Sequence, residues 1–146
     1  MDEQIGAARA VELTQWYGAG AGPTITQWQR VLDGPGGAPV TVINFFKLRP
    51  MAAYATGGDP VSGFEAMMRY AAVSGPTLEK VGGRFLLSGP FETTLIGDDE
   101  DWDLVAIGAY PTRDALLALF DDAAYREAWA HRVAAVERQR VVIAAG

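Results

Sequence analysis

The chain has 146 residues, a formal charge of −6, one histidine and no cysteine, so it fits one ordinary domain. The acidic balance argues against a nucleic-acid backbone or an anionic membrane surface as partner. The absence of cysteine excludes disulfides, thiolate catalysis and sulfur-ligated zinc, and a single histidine excludes sites that need two imidazoles.

Neither a targeting segment nor a membrane span is expected. The N-terminus, Met1–Gln4, has no basic region followed by an apolar run. No stretch approaches about 18 consecutive apolar residues, the length that a spanning helix needs. These features predict a soluble, cytoplasmic protein.

Two helices are predicted before the first strand. Residues 2–17 have acidic residues at their start, where the helix dipole favours them, and the glycine-rich stretch 18–23 ends this helix. Thr24 and Gln27 have the spacing of a capping box, and residues 34–37 form a hinge after the second helix.

We therefore divide the chain into a helical extension, residues 1–38, and a domain, residues 39–146. The extension carries Trp16 and Trp28. One hypothesis is that these helices form an arm for dimerisation or for docking a partner.

The segment from Pro39 to Arg49 is the strongest strand candidate. Val40, Val42, Asn44, Phe46 and Leu48 share one face, and Thr41, Ile43, Phe45, Lys47 and Arg49 share the other. Both faces are largely apolar, so we expect the strand to be covered on both sides.

A long helix is predicted after a loop over residues 50–61. Ser62 and Glu65 have capping-box spacing. Its apolar arc consists of Phe64, Met67, Met68, Ala71 and Leu78. Gly75-Pro76 is expected to kink or interrupt this helix, because proline lacks the backbone donor.

The remaining elements complete a βαββαβ order. They are short strands at 84–88 and 91–96, a strand at 102–110, a helix from Pro111 to about 120, a helix from 121 to about 139, and a strand at 141–143. This order predicts an α+β, ferredoxin-like fold, an antiparallel sheet with helices on one face. The other face would be bare and apolar, and a second copy is the simplest cover, so we expect a homodimer.

Several fragments together resemble a known family. They are Asn44–Arg49, Gly82-Gly83-Arg84, Trp102-Asp103, Tyr110–Ala115, Asp121–Tyr125 and His131-Arg132. Over residues 40–145 the chain resembles domain-of-unknown-function family 1330, in the dimeric α/β-barrel superfamily.

The resemblance implies a ferredoxin-like subunit whose sheet pairs with a second one to form a barrel. The superfamily contains cofactor-free monooxygenases, muconolactone-type isomerases, polyketide cyclases, haem enzymes and members without known chemistry. The fold therefore cannot select a reaction.

Arg132 is the most informative candidate for a site. It is predicted near the centre of an apolar helix stripe formed by Tyr125, Ala128, Trp129, Val133 and Val136. A fixed guanidinium there suits a carboxylate, enolate or phenolate, since it stays charged and forks two hydrogen bonds. The alternative is a structural arginine that snorkels or pairs with an aspartate such as Asp103.

Two other polar residues have an open interpretation. His131 is the natural proton shuttle, although its position on the helix flank also fits a half-exposed histidine. Asn44 interrupts an apolar row, so its amide either polarises a ligand carbonyl or satisfies a neighbouring loop.

Tyrosines could line a cavity for an aromatic ligand or belong to the core, namely Tyr54, Tyr70, Tyr110 and Tyr125. Asp103 could orient Arg132 or Arg84, accept a proton, or form a structural pair.

Two functions remain open. The first is a small enzyme without cofactor or metal, of isomerase, cyclase or monooxygenase type, acting on an anionic or enolisable small molecule. Arg132 would hold the oxyanion and His131 would move a proton. Substrate binding is assigned to Asn44, Tyr110, Tyr125 and Asp103. The alternative is a non-catalytic ligand-binding or stress-associated homodimer, with the same pocket but no acid–base pair within reach.

Overall fold

The computed structural model describes residues 3–146 of the chain. In that range five helices and four strands form an α+β fold. In chain order they are α1 Glu3–Tyr17, α2 Ile25–Asp33, β1 Val40–Leu48, α3 Gly63–Lys80, β2 Arg84–Pro90, β3 Leu104–Tyr110, α4 Arg113–Asp121, α5 Ala123–Ala135 and β4 Val136–Ala145.

The four strands form one antiparallel sheet in the order β2-β3-β1-β4. This arrangement is compatible with the ferredoxin-like fold that the element order predicts. Asn44 on the central strand lies opposite Ala106 of β3 and Val141 of β4. The register between β1 and β4 shifts at Lys47/Leu48, near the end of β1.

The two faces of the sheet differ in burial. Val40, Val42 and Phe46 of β1 are buried against the helices on the inner face. On the outer face, Ile43 lies between Ile107 and Val142 in the register, and all three remain partly accessible to solvent. The outer face is thus apolar and incompletely covered within the chain.

The N-terminal helices belong to the same hydrophobic core as the sheet. Ala10, Leu13 and Tyr17 of α1 and Trp28 of α2 are buried in one cluster with strand and helix residues beyond residue 39. The capping box at Thr24 forms as predicted. One continuous core therefore crosses the boundary that the sequence suggests at residue 38.

An aromatic cluster fixes this extension in place. It consists of Tyr17, Trp28, Phe120, Tyr125 and Trp129, and its contacting ring centroids lie 5.0–6.2 Å apart. The Tyr17 hydroxyl donates to the Phe120 carbonyl, and the Trp129 indole donates to the Tyr17 carbonyl. Because Trp28 is only 1% exposed, it is not available as the docking residue of an arm.

Helix α3 continues through Pro76, so the expected interruption there is wrong, while the alternative of a kink stays a prediction. The hydroxyl of Thr77 bonds the Val73 carbonyl at 2.8 Å, and Thr77 and Leu78 are buried against the core. These contacts outweigh the one backbone hydrogen bond that proline removes.

The strand predicted at residues 91–96 does not form. Strand β2 ends where Pro90 faces Leu104, the first residue of β3, so later residues have no partner strand. Leu95 and Ile96 are instead 91% and 89% exposed. Residues 91–103 form a loop, and β3 starts at Leu104 rather than Trp102.

Helix α5 is shorter than predicted, and the last strand is longer. The helix ends at Ala135, and β4 begins at Val136, which faces Leu48 across the sheet. Pairing with β1 over residues 136–145 outweighs the helical preference of residues 136–139. Gln139 therefore lies on a strand.

Candidate functional site

A cavity of about 990 Å³ lies between the inner face of the sheet and helices α2 to α5, and we call it the main cavity. Its walls are mostly apolar and aromatic, with Phe46, Met67 and Trp129 among them. The half-exposed Phe64 and Met68, which the helical pattern places in an apolar arc, also face this space.

The polar wall of the main cavity is built around Arg132. We use the name arginine centre for Arg132, Asn44, Tyr70 and Gln139. The Arg132 Nε and Nη2 atoms donate to Gln139 Oε1 at 3.1 and 2.8 Å. Nη1 donates to the Tyr70 hydroxyl at 3.1 Å, and Nη2 reaches Asn44 Oδ1 at 3.5 Å.

Aromatic rings enclose the same guanidinium. Its central carbon lies 4.7 Å from the ring centroids of both Phe46 and Trp129 and 5.4 Å from that of Tyr70. Arg132 is 7% exposed. Burial works against its charge, but the oxygens of Tyr70 and Tyr125 favour it, and the pKa of Arg132 is raised overall. The charge is therefore permanent.

No carboxylate among residues 3–146 forms an ion pair with Arg132. The hydrogen bonds of Arg132 go to the neutral side chains of Gln139, Tyr70 and Asn44, and the Tyr125 hydroxyl also favours its charge. A buried cation held only by neutral groups is a strong attractor for an anion.

Tyrosine hydroxyls extend the polar wall. Those of Tyr70 and Tyr125 lie 2.6 Å apart. Burial raises the pKa of Tyr125 and the pKa of Tyr110, so both stay protonated at neutral pH. They can offer or accept a hydrogen bond but carry no charge there.

The structure does not bring His131 to this wall. Its Nδ1 atom lies 2.7 Å from the Tyr54 hydroxyl, and neither residue lines the main cavity. Three arginines line the cavity within the described chain, but no Asp, Glu, His or Lys does. The proton-transfer role of His131 stays a prediction without a geometric link to the cavity.

Asp103 also lies away from Arg132. Its carboxylate accepts from the Leu48 backbone at 2.8 Å and approaches the Lys47 ammonium at 3.5 Å. Of the predicted site residues, Arg132, Asn44, Tyr110 and Tyr125 line the main cavity, whereas Asp103 and His131 do not.

Sequence reasoning missed Gln139. Its Oε1 atom accepts from Arg132, and its Nε2 atom donates to the Ala21 carbonyl at 2.8 Å. It thereby ties Arg132 to the loop between α1 and α2. The apolar residues Val136, Val141 and Ile143 were the available signal that this segment is a strand.

Two further findings limit the classes of site. No three His, Cys, Asp or Glu side chains within residues 3–146 come together as metal ligands. Across the same range, every helix is too short or too polar to cross a membrane.

Two solved structures are similar to this chain, each at 38% sequence identity. A crystal structure of methylated RPA0582 protein has a TM-score of 0.79 and covers 86% of this chain and 93% of its own. A second, of the RPA0582 protein of unknown function from Rhodopseudomonas palustris, has a TM-score of 0.76, with coverages of 84% and 93%.

No curated protein matches the sequence. The family model of the domain of unknown function DUF1330 matches residues 52–146. This range contains Arg132, Tyr70 and Gln139 but not Asn44 or the N-terminal helices. The chain therefore belongs to the DUF1330 family.

Proposed function

We propose that the protein binds an anionic small molecule with a planar apolar body in the main cavity, its acidic group on Arg132. The observation that carries this proposal is the buried guanidinium without a carboxylate partner in the described chain. The aromatic walls suit a ring system, and the volume of about 990 Å³ suits a small organic ligand.

Binding is favoured over acid–base catalysis because of the cavity lining. Within the described chain, the lining residues include no Asp, Glu, His or Lys that could act as a general acid or base. The enzymatic alternative, a cofactor-independent isomerase, cyclase or monooxygenase, would have to use the tyrosine hydroxyls or the substrate itself for proton transfer.

A matched pair of probes tests the proposal. We expect 2-naphthoate to bind, and the neutral naphthalene-2-carboxamide to bind at least about tenfold more weakly, since only the carboxylate makes charge-assisted bonds. Isothermal titration calorimetry measures both affinities.

Two variants locate the effect. Arg132→Met should remove the preference for the anion, whereas Arg69→Gln, a change on the outside of α3, should leave it intact. Equal affinities for the two probes in the wild type would refute the proposal, as would an anion preference that survives in Arg132→Met.

We further propose that the protein is a homodimer of the dimeric α/β-barrel type. The support is the incompletely covered outer face of the sheet, where Ile43, Ile107 and Val142 form one apolar row. Burial of this face against a second copy would remove its apolar surface from water.

Native mass spectrometry of freshly purified protein reports both stoichiometry and any retained small molecule. Ile107→Lys on the outer face should give monomers, while Leu95→Lys in the exposed loop should not. A wild-type monomer at micromolar concentration in analytical ultracentrifugation would contradict the dimer.

A further inference from the structure

A second cavity of about 460 Å³ lies beside the arginine centre. It is lined by Arg49 directly after β1, the last turn of α5, the start of β4 and the loop between α1 and α2. Arg49, Arg132 and Arg138 all contribute to its wall, and Glu137 is the one acidic residue of that wall within the described chain. Three arginine residues thus line one small space.

Arg49 is held in position by its backbone. Its N–H donates to the Ala135 carbonyl at 2.8 Å. On the other side, Gly63 approaches so closely that a β-carbon there would lie 2.0 Å from the Arg49 carbonyl oxygen. The backbone from which the Arg49 side chain extends is therefore held in place directly after β1.

The Arg49 side chain is half-buried and lacks a counter-ion in the described chain. Its Nε atom is buried, and no hydrogen-bond acceptor of residues 3–146 reaches it. The neighbouring cation Lys47, in contrast, pairs with Asp101 and Asp103. The chain has 18 acidic and 12 basic residues, so carboxylates outnumber the basic side chains. A shortage of carboxylates therefore does not explain why Arg49 has no counter-ion.

Arg138 is oriented by neutral groups. Its Nη2 atom donates to the backbone carbonyl of Asp101, and its guanidinium lies 4.3 Å from the Trp102 ring centroid. Neither contact neutralises the charge. Glu137 and Arg138 are both exposed, so water screens both charges.

We propose that the second cavity binds a small oxyanion between Arg49 and Arg138, with Arg132 behind it. Forked guanidinium donors match the oxygens of a phosphate or a carboxylate. The group is either a free inorganic anion or the acidic end of an organic molecule, since both present the same oxygens. This site adjoins the main cavity, and Gly20, Ala21, Arg132 and Gln139 line both.

Inorganic phosphate is the first probe. Its binding to the full chain is measured by NMR chemical shifts. We expect saturable binding in the wild type, weakened at least about tenfold in Arg49→Gln. Arg84→Gln removes an exposed arginine from the opposite edge of the sheet and should leave the affinity unchanged. If Arg49→Gln does not fold, Arg49→Lys keeps the charge but not the fork and should still weaken binding.

The absence of saturable binding at millimolar phosphate would overturn the proposal. Equal weakening by Arg49→Gln and Arg84→Gln would overturn it as well. Phenylphosphonate distinguishes the two sources. Similar affinities for both probes indicate a free anion, and tighter binding of phenylphosphonate indicates the end of a larger molecule.

This outcome is independent of the main-cavity proposal. Arg49→Gln should keep the preference for 2-naphthoate over its carboxamide, which depends on Arg132. Loss of phosphate binding with that preference retained identifies the second cavity as its own site.

Discussion

The aromatic cluster and the arginine centre both include residues of α5, but they differ in the interactions that hold them together. In the aromatic cluster, large rings pack edge to face and join the N-terminal helices to α4 and α5. In the arginine centre, a permanent charge is buried among neutral groups next to an open volume. The first arrangement serves stability, and for the second we propose ligand binding.

The largest expected effect is on the aromatic cluster. Trp28→Ala removes a side chain that is 1% exposed and should lower the free energy of unfolding by about 3–5 kcal/mol. Chemical denaturation measures it. A loss below about 1 kcal/mol would mean that the N-terminal helices are not part of the cooperative unit.

The arginine centre should respond more weakly than the aromatic cluster. Arg132→Met removes a buried charge but leaves the oxygens of Gln139, Tyr70 and Asn44 without their donor, so the two effects offset and stability should change by less than about 2 kcal/mol. The same denaturation experiment checks this. A loss above about 2 kcal/mol would make Arg132 a structural residue and remove the contrast between the two regions.

A smaller effect is expected for one hydrogen bond of the aromatic cluster. Tyr17→Phe removes the bond to the Phe120 carbonyl but keeps the ring, so stability should fall by about 1 kcal/mol. Tyr54→Phe, which loses the contact with His131 outside the cluster, serves as a matched comparison. An unchanged Tyr17→Phe midpoint would show that the ring contacts alone hold α1.

The smallest expected effect is a flat pH profile of ligand binding. Burial raises the pKa of Tyr110 and the pKa of Tyr125, and a raised tyrosine pKa delays the appearance of negative charge as pH increases. No repelling anion therefore arises from these groups between about pH 6 and pH 9, and the Arg132 charge persists. The affinity for 2-naphthoate should stay constant over that range.

His131→Ala should not alter that profile, because the imidazole does not line the main cavity. If the affinity for 2-naphthoate changed near neutral pH and this change disappeared in His131→Ala, His131 would have to be counted among the site residues.

The element order was predictable from the sequence because hydrophobic periodicity and capping residues act locally. The capping box at Thr24, the N-cap at Ser62 and the alternation of Val40–Leu48 placed α2, α3 and β1 correctly. The strand expected at residues 91–96 failed, since a strand also needs a partner and β3 begins too late to supply one.

The site was partly predictable for a similar reason. Arg132 on an apolar helix face and Asn44 in an apolar strand row each break a local pattern, and the structure brings them together. Gln139 broke no pattern, because its residue type suits a solvated helix end. Its position depends on the pairing of β4 with β1, which local periodicity does not encode.

The ring centroid of Trp129 lies 4.7 Å from the central guanidinium carbon of Arg132. Trp129 also forms part of the main-cavity wall. Indole emission depends on nearby charge and on contact with water. A molecule that settles on Arg132 would change both at once, whereas Trp16 and Trp102 lie outside that wall. The protein thus carries its own optical reporter, and unlabelled compound libraries can be screened by intrinsic fluorescence.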